Sequence, residues 1–446
     1  MRTFSHIMLA AIVVSGVHAT EPLQLSLADA VSRALDFNLS AITSREAVKT
    51  AEGADNLARA RLLPSLSAGL SGSRQIIDLA AYGFPAPAGG SPLVGPFNVV
   101  DARLYLSQSV LDLQALGQKR AARFGEEAAR SGAAAMRETV VVAATDLYLQ
   151  AASDERRIEA AQEQVAAAKA LLEHAQRLND AGVVAGIEVL RAKVQLEAQR
   201  QRLIVAENQA AKDKLTLARA IGLPLDTMFT LSDGLVYKPA GEVSLETTLK
   251  DAEDAREDLK QTKSRLEQAE AARDADRRQR VPTLKLNADF GVIGNDAPSL
   301  ERTYTLGLAL RLPLFEGGQI SAQVMQDDAE VSRLKAVLSD MEAGVALDVR
   351  SSLLDLAASD ERVRVAKDAL DLAREQVAQS QDRFEAGVAG NLEVVQAQDA
   401  LARASDDYIA ALQAHNVSRM AIAKARGTAE HEIPTFLLDE GGPPHE

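Results

Sequence analysis

Ala151-Ala152-Ser153-Asp154-Glu155-Arg156 returns unchanged as Ala357-Ala358-Ser359-Asp360-Glu361-Arg362, 206 positions further along the chain. Other landmarks keep nearly the same distance. Ala181-Gly182-Val183, followed by Glu188 and Ala192, matches Ala386-Gly387-Val388, followed by Glu393 and Ala397, at an offset of 205, and Gly222 matches Gly427 at 205. Nearer the start, Leu27 matches Leu245 and Pro64 matches Pro282 at 218. Two copies of one unit of roughly 200 residues therefore make up most of the chain. The first copy is expected over 20–224 and the second over 245–428, joined by the segment 225–244 and followed by a flexible tail over 429–446.

Each copy reads as a helix, two strands, a very long helix and a further helix. Ser26-x-x-Asp29 is a capping signal that opens a helix ending before Pro64. From Pro64 the period switches to two: Leu66, Ala68 and Leu70 alternate with Ser65, Ser67, Gly69 and Ser71, and Ala102, Leu104 and Leu106 alternate with Asp101, Arg103, Tyr105 and Ser107. A Gly/Pro-rich stretch around Tyr82 to Phe97 predicts the loop between them. In copy two, Leu284, Leu286, Ala288, Phe290 and Val292 make one face of a strand, and Tyr304, Leu306, Leu308, Leu310 and Leu312 make one face of the next. Four strands of about ten residues follow, each with an apolar and a polar side.

Between the strands and the next Gly, an unbroken helical pattern runs from about Asp112 to Arg177 and again from about Glu316 to Arg383. At 1.5 Å per residue each is a rod of roughly 100 Å. Val349, Leu356, Val363, Leu370, Val377 and Phe384 fall at strict seven-residue spacing, as do Ile158, Val165 and Leu172. That period predicts coiled-coil packing, because straight amphipathic helices drift off it.

Composition agrees. The 446 residues include no Cys, no Trp and 4% aromatic side chains, so ordinary globular cores would lack their bulky filler, whereas narrow Ala/Val/Leu seams between helices would not. The absence of Cys excludes a disulfide framework, a thiolate zinc site and a lipidated N-terminal Cys. With 63 acidic and 49 basic residues the formal charge is −14, which argues against a nucleic-acid partner. Arg2, the apolar run Ile7 to Val17 and the small-x-small site Val17-His18-Ala19 predict a signal peptide over 1–19.

Ten residues of apolar/polar alternation is the length of a transmembrane β-strand. Four strands cannot close a barrel, and open sheet edges are not tolerated in hydrocarbon. Several copies must then share one barrel. An eight-stranded interior is filled by its own side chains, so conduction asks for about twelve strands, from three chains. The expected architecture is mainly α with a membrane β-barrel: a trimer with a shared twelve-stranded barrel above a long helical coiled-coil tunnel.

Here the sequence resembles the TolC-like outer-membrane efflux proteins over nearly its whole length. The resemblance rests on the order and duplication of its parts: the Leu25-x-Leu27-x-x-Ala30 start, Pro64 and Pro282 at helix-to-strand junctions, Leu312-Pro313-Leu314-Phe315 at a strand-to-helix junction, and the paired segments after Gly182 and Gly387. It implies a homotrimeric channel in the outer-membrane lipid of a Gram-negative cell, projecting into the periplasm. A periplasmic adaptor protein would dock it onto an inner-membrane RND, ABC or MFS transporter.

The resemblance also places the site. Ala181, Gly182 and Val183, with Ala386, Gly387 and Val388, are implied as helix tips that form the periplasmic opening and the groove an adaptor grips. Glu393 sits where relatives place an acid lining the closed gate, with Glu188 its counterpart in copy one. Two departures are visible: Gln396 stands where relatives can have a second acid, and Ala389 where some have a cation. The segment between the repeats is implied to form a belt at the tunnel's waist.

No catalytic constellation is present. Beyond the signal peptide only His174, His415, His431 and His445 remain, without His-Glu-x-x-His, a phosphate-cradling Gly-x-x-x-x-Gly-Lys or Gly-x-Ser-x-Gly. The expected protein is no enzyme and needs no cofactor or metal. Its expected role is a passive efflux duct for small toxic solutes. A duct for protein secretion and a soluble periplasmic coiled-coil scaffold are the alternatives.

Overall fold

The computed structural model describes residues 23–84, 90–239, 241 and 243–435, so the expected signal peptide lies outside the described residues. The first part of the chain forms β1 (Leu23–Leu25), α1 (Leu27–Phe37), α2 (Leu39–Ala60), β2 (Ser65–Asp78), β3 (Leu93–Leu111), α3 (Leu113–Asp180) and α4 (Gly186–Ala220). After β4 (Phe229–Leu231) the plan repeats as α5 (Leu245–Ala255), α6 (Glu257–Arg277), β5 (Thr283–Gly294), β6 (Glu301–Arg311), α7 (Gln319–Glu385) and α8 (Asn391–Arg426), and α9 (Ala429–Glu432) follows.

Three expectations need correction. The single helix expected before each pair of strands is two helices. Asn38 separates α1 from α2 and Arg256 separates α5 from α6, both with extended backbone. Asn38 caps α2 by accepting the Ser40 N–H at 2.9 Å, while Arg256 is held by Asp258 at 2.6 Å and Asp348 at 2.8 Å. The first two strands are also longer than about ten residues, at 14 and 19, because β2 runs on to Asp78 and β3 starts at Leu93, inside the expected loop, whereas β5 and β6, at 12 and 11, keep close to the expected length. Lastly, the start of the expected flexible tail is docked: Ala429 and Ile433 are buried in the main core.

The long helices match their expected spans closely, and burial shows why they stay in register. Along α7, Val349, Leu356, Val363, Leu370 and Phe384 are buried, and so are Val345, Ser352, Ser359 and Ser380, each four residues before a member of the first series, and Ala373, four before the half-buried Val377. Large and small residues thus alternate along one seam at spacings of three and four, which is heptad packing. In α3 the fully buried series is Asp154, Ala161, Ala168 and Ala175, with Ile158, Val165 and Leu172 half-buried beside it. The α3 seam is therefore finer, and one of its layers holds a carboxylate.

At mid-length a larger core gathers most of the few buried rings. β1 and β4 pair in parallel, Leu23 with Phe229 and Leu25 with Leu231. Tyr148 of α3 lies fully buried beneath them, donating from its hydroxyl to the Leu25 carbonyl at 3.0 Å and accepting from the Asp233 N–H at 3.1 Å. His415 of α8 bonds the Lys238 carbonyl through Nε2 at 2.8 Å. The segment between the repeats is thereby tied to both long hairpins.

Candidate functional site

One end of the molecule is a four-stranded antiparallel sheet in the order β2-β3-β5-β6. Register decides its two faces. Leu66 pairs with Leu106, Ala68 with Leu104, Leu104 with Phe290, Phe290 with Tyr304 and Leu286 with Leu308, so these apolar positions share one side. That side is uncovered: Leu70 is 78% exposed, Tyr304 79% and Leu308 68%. The opposite side carries Ser65, Ser67, Asp101, Arg103, Asn287, Asp289, Thr303 and Thr305. β2 and β6 end the sheet, each with one edge unpaired within the chain. Among the described residues no helix is long and apolar enough to cross a membrane.

The opposite end is formed by two helical turns. Gly182 has φ +72° and Gly387 has φ +71°. The N–H of Gly182 bonds the Asn179 carbonyl at 2.9 Å and that of Val183 the Leu178 carbonyl at 2.9 Å. In the second copy Gly387 bonds Phe384 at 3.0 Å and Val388 bonds Arg383 at 3.1 Å. This paired pattern requires a left-handed residue after the helix, which a Cβ disfavours. Val183 and Val388 project at 64% and 69% exposure, with Ala181 and Ala386 exposed beside them.

The two tips touch. Leu171, Ala175, Ala192, Phe384 and Val394 form a small core between them, and the His174 ring meets the Phe384 ring edge-on at 5.4 Å. Asn391, fully buried at the start of α8, donates from Nδ2 to the Glu188 carbonyl at 2.8 Å.

The expected gate residues occupy this end with different partners. Glu188 pairs with Arg191 of its own helix at 2.7 Å and is the less exposed acid. Position 396, the counterpart of 191 at the offset of 205, is the exposed Gln396. Glu393 therefore has no such partner on α8 and reaches back across the turn to Arg383, whose Nε lies 3.1 Å from Oε1. Arg383 supplies the cation that the sequence lacks at position 389. Sequence reasoning missed Arg383, Asn391 and His174. Phe384 was visible as a heptad position, but its contact across the hairpins was not.

Midway up α3, Asp154 is 2% exposed and accepts from Arg157 Nη1 at 2.8 Å and Gln150 Nε2 at 3.3 Å. Burial, reinforced by Asp213 alongside, pushes its carboxyl up to about 6 against the pull of Arg157. Burial also raises Asp406 of α8. Among the described residues no group of three or more His, Asp or Glu side chains could hold a metal ion.

Comparison with known proteins meets this geometry at both levels. The chain is 26% identical over 439 residues to Protein CyaE of Bordetella pertussis, covering 95% of this chain and 87% of that protein. It is 24% identical over 393 residues to the probable efflux pump outer membrane protein TtgC of Pseudomonas putida, covering 84% and 77%. The solved CmeC outer membrane channel of Campylobacter jejuni superposes with a TM-score of 0.80 at 17% identity, covering 93% of this chain and 90% of that one. That likeness is one of fold: a small sheet carried on two long helical hairpins. The family model described as outer membrane efflux protein matches twice, over residues 30–223 and 248–428, and the chain thus belongs to the outer membrane efflux protein family.

Proposed function

We propose that three copies of this chain close a twelve-stranded barrel in the outer membrane and a helical tunnel below it, forming the passive exit duct of a tripartite pump that expels small toxic solutes. The four-stranded sheet carries this reading. Its apolar face is continuous and uncovered, and its two edges are β2 and β6. In hydrocarbon an unpaired edge costs several kcal/mol per backbone group, so β6 of one copy must meet β2 of the next. A soluble scaffold would leave the same face in water.

The repeats divide as residues 20–224 and 245–428 about the waist segment, and the tips at Ala181–Val183 and Ala386–Val388 are the docking surface for a periplasmic adaptor. Glu393, Glu188 and Gln396 surround the opening, where three copies of Glu393 form a ring of carboxylates with Arg383 as internal counter-ion. Energy comes from an inner-membrane transporter, since a duct has only to open.

The reading is tested by fractionation and conductance. Extraction from outer membranes by detergent as a trimer that passes discrete currents in planar bilayers supports it. Release with the soluble periplasm, or a monomer without conductance, overturns it. Because the chain has no Cys, a single thiol introduced by Val183→Cys or Val388→Cys reports adaptor docking directly, through cross-linking that the same thiol on the sheet does not give.

A further inference from the structure

On the polar face of the sheet one cation is shared by two acids. Arg103 of β3 places Nε 3.2 Å from Asp101 Oδ1, pairs through Nη1 with Asp289 Oδ1 of β5, and donates from Nη2 to Thr303 Oγ1 of β6 at 3.1 Å. The register explains the reach. Arg103 stands opposite Gly69 on one side and Gly291 on the other, and Gly291 in turn stands opposite Thr303. The guanidinium therefore crosses β5 above a residue with no side chain. A Cβ at 291 would stand 2.4 Å from the Ala102 carbonyl oxygen and 2.9 Å from the Arg103 Cβ. One belt thus spans β3, β5 and β6, joining strands from both repeats.

We propose that Arg103 is a specificity-determining residue of the duct, holding Asp101 and Asp289 in a triad that fixes the charge of the barrel's lumen at this level. The proposal rests on the trimeric barrel argued above. The apolar face opposite must meet lipid, so the triad faces the enclosed water. One guanidinium against two carboxylates leaves one negative charge per copy, and the three groups are 14%, 22% and 21% exposed, near enough to water to act on passing ions. Three copies make a weakly anionic ring. Removing Arg103 doubles the ring's charge; removing one carboxylate cancels it. The Debye length is about 10 Å at 0.1 M salt and about 3 Å at 1 M, so the ring acts on permeation at low salt and is screened at high salt.

The test measures reversal potentials of purified trimers in planar bilayers under a KCl gradient. Arg103→Gln is expected to raise the K⁺/Cl⁻ permeability ratio about twofold or more at 0.1 M, and Asp289→Asn to lower it by a similar factor, with both shifts fading towards 1 M. Arg103→Lys keeps the charge and is expected to keep the wild-type ratio. A merely structural brace would change trimer stability without moving the ratio in opposite directions. If the wild type conducts and neither Arg103→Gln nor Asp289→Asn moves the ratio, this inference fails alone. If Arg103→Gln does not assemble, an unchanged ratio in Asp289→Asn is sufficient to overturn it. A wild type that passes no current removes the channel reading, and this inference with it.

Discussion

Asn391 Nδ2 lies 2.8 Å from the Glu188 carbonyl oxygen, so the first residue of α8 is bonded to the first turn of α4 in the other repeat. Both tips carry turns that any pair of antiparallel helices could use, but this bond joins one hairpin to the other. Asn391 is fully buried, and the neighbouring Phe384 and Val394 exclude water from the same junction. Separation of the hairpins has to break it.

Asn391→Ala is expected to loosen the junction without unfolding the rods. Losing a buried partner costs about 1–3 kcal/mol. The loss should appear locally, as amide exchange about tenfold or more faster near the Gly182 and Gly387 turns, with the mid-length core around Tyr148 unchanged. Larger or more frequent bilayer currents should accompany it. Wild-type exchange at both turns would show that the bond carries no weight.

The Arg383 and Glu393 pair should behave differently, because both groups are largely exposed, at 57% and 45%. Exposed pairs contribute about 0–1 kcal/mol, so Glu393→Ala should leave thermal stability almost unchanged while raising conductance or weakening cation preference at low salt. Arg383→Gln frees the carboxylate and should strengthen that preference. Anion-selective wild-type currents that Glu393→Ala does not alter would contradict this assignment.

The seam of α7 offers a test of the coiled-coil packing. Val363 is 1% exposed and joins the heptad series to the mid-length core. Val363→Ala removes two methyl groups from a closed layer and should cost about 1–3 kcal/mol per chain. Val365, two residues on and 58% exposed in the single chain, should tolerate the same change far better unless a neighbouring copy covers it. Comparing the two in denaturant, in detergent where the trimer persists, separates intrachain packing from assembly.

How much of this was legible in the sequence follows from the range of the interactions. The duplicated plan, both rods, the heptads and the faces of the strands are set by periodicity, which any window of the chain displays. The kinks at Asn38 and Arg256 are not, because neither residue is a strong helix breaker; capping and ion pairing with distant Asp348 decide them. The parallel pairing of β1 with β4 joins two three-residue strands about 200 positions apart and leaves no local pattern. At the tips, the glycine turns were legible from Gly182 and Gly387, whereas the Arg383 and Asn391 contacts depend on how two helices meet across a turn or across repeats.

The buried Asp154 gives the protein a pH dependence whose sign can be worked out. An unfolded Asp takes its proton near pH 3.9, whereas the folded site takes it at about 6. Between those values the folded form binds the extra proton, so stability is fullest below the unfolded value and falls as pH rises through about 6. Asp213, held below the ordinary carboxylate range by hydrogen bonding to Asp154 and Gln209 despite its own burial, works in the opposite sense, so the measured slope is the net of the pair. Asp154→Asn keeps the size and hydrogen-bonding capacity of the layer but removes the titration. Between about pH 4 and pH 7 the wild type should lose on the order of 2 kcal/mol per chain relative to the variant. Asp360, the counterpart of Asp154 in the repeated hexapeptide, is only half-buried and accepts from the Tyr237 hydroxyl at 2.9 Å, so the second repeat has no equally buried carboxyl at this position. Parallel pH profiles for the wild type and Asp154→Asn would show that the carboxyl titrates at its ordinary value in the fold.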